Sequence, residues 1–285
     1  MKKAISIIAS FLVIGFVIYN SFPNQSHASN NPLEEEYYYN EVEYVEEVIM
    51  LNNPSDKYSN TIDTKPDSLT VLINKDFSLP SDYIPADLTI PDVPFSFSSY
   101  SEKKMMRAEA ASALEDLFAA ASSEGLNLYG VSGYRSYQRQ LAIYNKNLAE
   151  NGAERTNQYS AMAGYSEHQS GLAIDVSTIS INNRLDVTFS GTPEGRWLDA
   201  NCWKYGYIIR YPEGKSNITG YAYEPWHIRY VGKDLAKELT ENDMTMEEYY
   251  GYQPSASVQN EEFYGTSIDI DNEDYSESII NHGEE

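Results

Sequence analysis

Ser166-Glu167-His168-Gln169-Ser170-Gly171-Leu172-Ala173-Ile174-Asp175 is the stretch on which the fold turns. From Leu172 onward apolar residues alternate with others. Leu172, Ile174 and Val176 point one way, and Ala173, Asp175 and Ser177 point the other, because successive strand side chains lie on opposite faces. The pattern predicts a strand over Gly171–Ser177 with one face in a core. Glu224-Pro225-Trp226-His227 opens a second run of the same kind, in which Trp226, Ile228 and Tyr230 share one face and His227 and Arg229 share the other. As neighbours, these strands bring Asp175 and His227 together. His168 stands an odd number of residues before Asp175, so a straight strand cannot carry it to that face. It has to reach in from the preceding loop, and Gly171 permits the bend.

Working outward, Ser101 is placed to cap a helix running to about Ser123, with Met106, Ala110, Ala113, Leu114, Leu117 and Phe118 at helical spacing and Gly125 as its stop. Leu126–Ser132 reads as a short strand. A second helix spans Tyr137–Glu150, with Leu141, Ile143, Tyr144 and Leu148 apolar and Gly152 as its stop. Leu69–Ile73 reads as an edge strand, Tyr207–Tyr211 and Trp226–Val231 as further strands, and a last helix starts near Lys233. Early helices and late short strands predict an α+β fold: a small antiparallel sheet with helices packed on one face and the candidate site on the open face.

The ends differ from this middle. Lys2 and Lys3 precede an apolar run from Ala4 to about Tyr19, and Ser26-His27-Ala28 offers small residues where a signal peptidase cuts. Residues 1–28 therefore read as an export signal, or as a membrane anchor if uncleaved. The run is slightly shorter than the roughly 20 residues of a spanning helix. Either way the expected location is secreted or cell-surface. Residues 29–67 read as an acidic, Tyr-rich linker, 68–250 as the folded domain and 251–285 as an acidic disordered tail. With 43 Asp+Glu against 20 Lys+Arg, the net charge of -23 argues against nucleic acid as a partner. The single cysteine, Cys202, excludes an internal disulfide and reads as a small buried hydrophobe.

Of four histidines, only His168 and His227 fall in the domain, each among unusual neighbours. With Asp175 they make a two-imidazole, one-carboxylate set that suits one Zn²⁺ ion and leaves a position for water. Such a site needs a nearby base. Glu224 is the best candidate, because Pro225 turns the chain and frees it from strand parity.

Ser-x-His-x-x-Gly-x-Ala-x-Asp at 166–175, then Glu-x-Trp-His at 224–227, resembles the VanY-type D-alanyl-D-alanine carboxypeptidases, within the zinc peptidases that include VanX-type dipeptidases. Ser132-Gly133-Tyr134-Arg135-Ser136-Tyr137-x-x-Gln140 adds a third block to the resemblance. It implies His168, Asp175 and His227 as zinc ligands and Glu224 as catalytic base. It further implies Arg135, Gln140 and Ser166 in the substrate cleft, and stem peptides of peptidoglycan as substrate. Arg135 suits either an oxyanion or a terminal carboxylate. Tyr134 and Trp226 read as packing residues. An L,D-carboxypeptidase or an endopeptidase acting on the same stems stays open at this point, since specificity lies in pocket shape. So does a non-catalytic cell-wall binding module.

Overall fold

The computed structural model describes residues 60–254. The export signal or anchor over 1–28, the linker up to 59 and the tail from 255 lie outside the described residues. Among the described residues no helix is long and apolar enough to cross a membrane.

A short pair, β1 (Leu88–Thr89) and β2 (Met106–Arg107), precedes helix α1 (Ala108–Ser123). Then come β3 (Tyr129–Ser132), α2 (Tyr137–Asn151), α3 (Ala153–Tyr159) and β4 (Ala173–Ser177). Next are α4 (Pro193–Asn201), β5 (Tyr207–Ile209), α5 (Ser216–Thr219), β6 (His227–Tyr230), α6 (Lys233–Glu241) and α7 (Met246–Tyr249). The main sheet has the order β3-β4-β6-β5 and is antiparallel throughout. This is the expected α+β architecture.

Strand parity sorts the sheet into two faces. Ile174, Val176, Ile228 and Tyr230 enter a core shared with Ala110, Leu114, Leu117 and Phe118 of α1. The Tyr207 hydroxyl donates to Ala110 O at 2.6 Å and the Tyr230 hydroxyl to Glu109 at 2.8 Å, which fixes the helix over that face. A second core gathers α6 and α7 around Leu72, Ile208 and Val231. Cys202 is buried in the first core, and burial pushes its thiol up to about 12, in keeping with a packing role.

Three expectations need correction. The helix expected from Ser101 begins only at Ala108. Ser101 instead caps a 3-10 turn over Glu102–Lys104. The carbonyls of Lys103 and Met105 are taken by Gly133 N and Tyr134 N at 2.6 and 2.7 Å, and Met106 and Arg107 pair with β1, so this segment cannot coil. Gly133 is required there, since a Cβ would lie 2.6 Å from Met105 O. Helix α2 forms where expected, but Leu141 and Leu148 are exposed and Gln140 is its buried residue.

The third correction concerns Leu69–Ile73, which is buried from Val71 to Ile73 but forms no strand. Its carbonyls serve buried arginines rather than a neighbouring strand. Arg229 Nη2 donates to Leu69 O (3.1 Å) and Val71 O (2.9 Å), and Arg210 Nη2 to Ile73 O (3.5 Å). The packed body also reaches beyond the 68–250 span at both ends. Ile62 packs on the second core, Asn60 donates to Tyr249 O at 3.2 Å, and the Tyr252 ring meets Phe77 edge-on.

Candidate metal centre

The open face of β4 and β6 carries the site. Asp175 and His227 are direct partners across the two strands, as are Ala173 and Arg229. Asp175 Oδ1 lies 2.9 Å from His227 Nδ1. His168 arrives from the loop, in a 3-10 turn over Glu167–Ser170 that ends on Gly171 in the left-handed region at φ 67°. Its Nε2 sits 3.4 Å from Asp175 Oδ2. Residues 135 and 168 are 33 apart in sequence yet linked, since Arg135 N donates to His168 O at 3.2 Å.

One ligand atom from each of His168, Asp175 and His227 lies within 4.8 Å of the others, and all three residues are buried. The remaining imidazole nitrogens are already spoken for. His168 Nδ1 lies 2.8 Å from Gly133 O, so it donates there and leaves Nε2 toward Asp175. His227 Nε2 faces Glu167 Oε2 at 3.4 Å, which leaves Nδ1 toward Asp175. Two oriented imidazoles and a carboxylate form a donor set that fits zinc.

Glu224 is delivered by a turn. His227 N donates to Glu224 O at 3.1 Å, with Pro225 at the second position where its fixed φ suits such a turn. The Glu224 carboxylate lies 4.0 Å from His227 Nδ1. Burial pushes Glu224 up to about 8; the charge of Asp175 adds to this, while His227 and Arg135 oppose it. For Asp175, burial opposes ionisation, but the two imidazoles outweigh it and hold the carboxyl well below its usual range. Burial works to lower His227, yet its hydrogen bonds to Asp175 and Glu167 bring it to about 9.

One cleft brings together every candidate site residue read from the sequence: Arg135, Gln140, Ser166, His168, Asp175, Glu224 and His227. Arg135 donates through Nη1 to Gln140 Oε1 (2.9 Å) and through Nη2 to Ser132 Oγ (3.1 Å). Gln140 is itself held, since its Nε2 donates to Ala161 O at 2.6 Å. Trp226 is both a cleft wall and part of the first core, and Tyr134 is buried.

Sequence reasoning missed the layer beneath. Glu167, Arg210, Arg229 and Glu247 form a buried ion cluster, each side chain inaccessible to solvent or nearly so. Tyr211 stacks on the His227 ring, with centroids 5.0 Å apart and planes at 26°. One signal was available: Arg229 shares the face of His227, and a charge at that parity on a buried strand calls for an opposite charge below it.

The VanY family, described as D-alanyl-D-alanine carboxypeptidase, matches residues 103–233. YodJ of Bacillus subtilis (strain 168) is 44% identical over 216 residues, spanning 76% of this chain and 75% of that protein. Among solved structures, the LdcB LD-carboxypeptidase is 47% identical, with a TM-score of 0.64 over 66% of this chain and 88% of its own. A vancomycin-resistance D,D-pentapeptidase VanY solved with Zn(II) is 31% identical, with a TM-score of 0.53 over 65% of this chain and 99% of its own.

Proposed function

The chain belongs to the VanY family of zinc carboxypeptidases, and on that premise we propose that it removes the terminal D-alanine from peptidoglycan stem peptides, with L,D preference for tetrapeptide stems. As a member it is a zinc metallopeptidase acting as a carboxypeptidase on peptidoglycan-related substrates. The L,D preference is supported by 47% identity to an LD-carboxypeptidase over 88% of that chain. A D,D preference for pentapeptide stems is the second reading, favoured by the family description. The export signal read over 1–28 supports action outside the cytoplasm, where such stems lie.

The observation that carries the mechanism is the meeting of His168, Asp175, His227 and Glu224 in one buried cleft. In this proposal His168 Nε2, an Asp175 oxygen and His227 Nδ1 hold the zinc. When bound, zinc supplies Lewis acidity toward the scissile carbonyl and makes water a nucleophile near neutral pH. Glu224 takes the proton of the attacking water and hands it to the leaving amine of D-alanine. Burial raises its carboxyl in the metal-free site, and the charge of a bound Zn²⁺ would favour the ionised form that takes this proton. Arg135 stabilises the negative charge that develops on the scissile oxygen, where a preorganised guanidinium in a buried site is most effective. Gln140 and Ser132 fix the direction of that guanidinium, so Gln140 acts through Arg135. Ser166 lines the cleft next to the ligand turn and is assigned to substrate contact.

The test is D-alanine release by the purified protein from tetrapeptide and pentapeptide stems offered separately, with and without a chelator. Chelator-sensitive loss of one residue, faster from the tetrapeptide, is the expected result. Faster release from the pentapeptide would move the assignment to D,D. Internal cleavage would make the enzyme an endopeptidase. No cleavage of either stem by zinc-loaded, folded protein would leave a binding module.

A further inference from the structure

Glu167 stands next to a proposed zinc ligand in sequence, yet its side chain is turned under the site and is completely buried. Its two oxygens have different partners. Oε1 accepts from Arg210 Nε at 2.8 Å and from Arg229 Nη1 at 2.7 Å. Oε2 faces His227 Nε2 at 3.4 Å. Two guanidiniums thus clamp one oxygen, and the other points at an imidazole edge.

The clamps are themselves anchored. Arg229 Nε donates to Tyr230 O at 3.0 Å, and its Nη2 reaches the carbonyls of Leu69 and Val71. Arg210 makes a bidentate pair with Glu247 of α7, at 2.9 and 2.6 Å, and Asn74 donates to Glu247 at 3.2 Å. Two carboxylates balance two guanidiniums, so the cluster is neutral. Burying such a cluster is seldom better for stability than apolar packing of the same volume. Its geometric consequence is specific: the direction of one carboxylate oxygen is fixed beneath His227.

We infer that Glu167 is a positioning residue, which accepts a hydrogen bond from His227 Nε2 and thereby presents Nδ1 to the metal. This rests on the reading of His227 as a zinc ligand. Tyr211 stacks on the ring and restrains its plane, but stacking does not decide which nitrogen carries the proton. A hydrogen bond at the ring edge does decide it, and loss of such a partner typically weakens metal binding by about 10–100-fold.

A matched pair of variants separates positioning from support. Glu167→Asp and Glu247→Asp each withdraw one carboxylate of the same cluster by one methylene and keep its charge. Glu247 touches no ligand, so only Glu167→Asp is expected to lose zinc affinity, by about 10–100-fold in competition with a chromophoric chelator. Glu167→Asp is also expected to alter the visible spectrum of the cobalt-substituted protein. Undiminished affinity in Glu167→Asp, or equal loss in both variants, overturns the inference. Side-chain nitrogen NMR of the unmutated protein loaded with an NMR-active cadmium isotope keeps the test independent of variant folding. The expected result is metal coupling to His227 Nδ1 with a proton on Nε2. Coupling to Nε2 overturns the inference and spares His227 as a ligand, whereas no coupling to either nitrogen overturns the ligand assignment itself.

Discussion

Ile228 and Arg229 are consecutive residues of one strand, and both are 0% exposed. They solve burial in opposite ways. Ile228 faces the first core with Ile174 and the α1 leucines, where removal from water is itself favourable. Arg229 faces the site, where removal from water is costly and is offset by Glu167 and the carbonyls of Leu69 and Val71. The apolar face is held by many small, interchangeable contacts. The polar face is held by a few directional ones, and these also set the orientation of the proposed zinc ligands.

That contrast is open to attack. Arg229→Ala leaves Glu167 buried with one guanidinium fewer and is expected to cost about 3–5 kcal/mol of stability, together with zinc affinity. Ile228→Ala is expected to cost about 2–5 kcal/mol through the cavity it leaves, with zinc affinity unchanged. Denaturant unfolding and chelator competition read the two quantities separately. If both variants lost zinc equally, the two faces would not be functionally distinct.

Gly171→Ala sharpens the comparison at the joint between loop and strand. An added Cβ would lie 2.9 Å from Leu88 Cδ2 and 3.1 Å from Arg107 Cγ, on a backbone with φ 67°. A loss of about 1–3 kcal/mol is expected, accompanied by weaker zinc binding because His168 hangs from this turn. Stability and zinc affinity measured on the same sample check it; a stable variant with normal affinity would show that the bend is not what places His168.

The polar face also predicts a pH dependence. Without metal, His227 is brought to about 9 and Glu224 to about 8, so both hold protons at neutral pH. His227 has to release its proton to bind zinc. Apparent affinity is therefore expected to rise with pH up to about 9, by about tenfold per pH unit for each proton displaced. Calorimetry in buffers of different ionisation enthalpy counts the released protons, and a pH-independent affinity would contradict the assignment.

Much of the site was legible in the sequence because strand parity is rigid. Asp175 and His227 share a face by counting residues, and Gly171 marks the bend that brings in His168. The layer beneath was not legible. Glu167 opens a 3-10 turn and is not part of a strand, so no periodicity reveals where it points. Arg210 lies just past β5, and Glu247 comes from a four-residue helix near the domain's end. Their meeting is a property of tertiary structure alone. The same cause explains the 69–73 segment: its apolar residues signal burial correctly, but its carbonyls are used by distant arginines instead of a strand. At Ser101 the capping residue was real, but a three-residue turn was capped in place of the long helix.

The most direct test of the account is Glu224→Gln, which is close in size and removes the ionisable group. Zinc content and D-alanine release are measured on the same preparation. The expected result is one zinc per chain, as in the unmutated protein, with kcat lowered by about 10²–10⁴-fold. Near-normal turnover with zinc bound would contradict the assignment of Glu224 as the group that moves the proton.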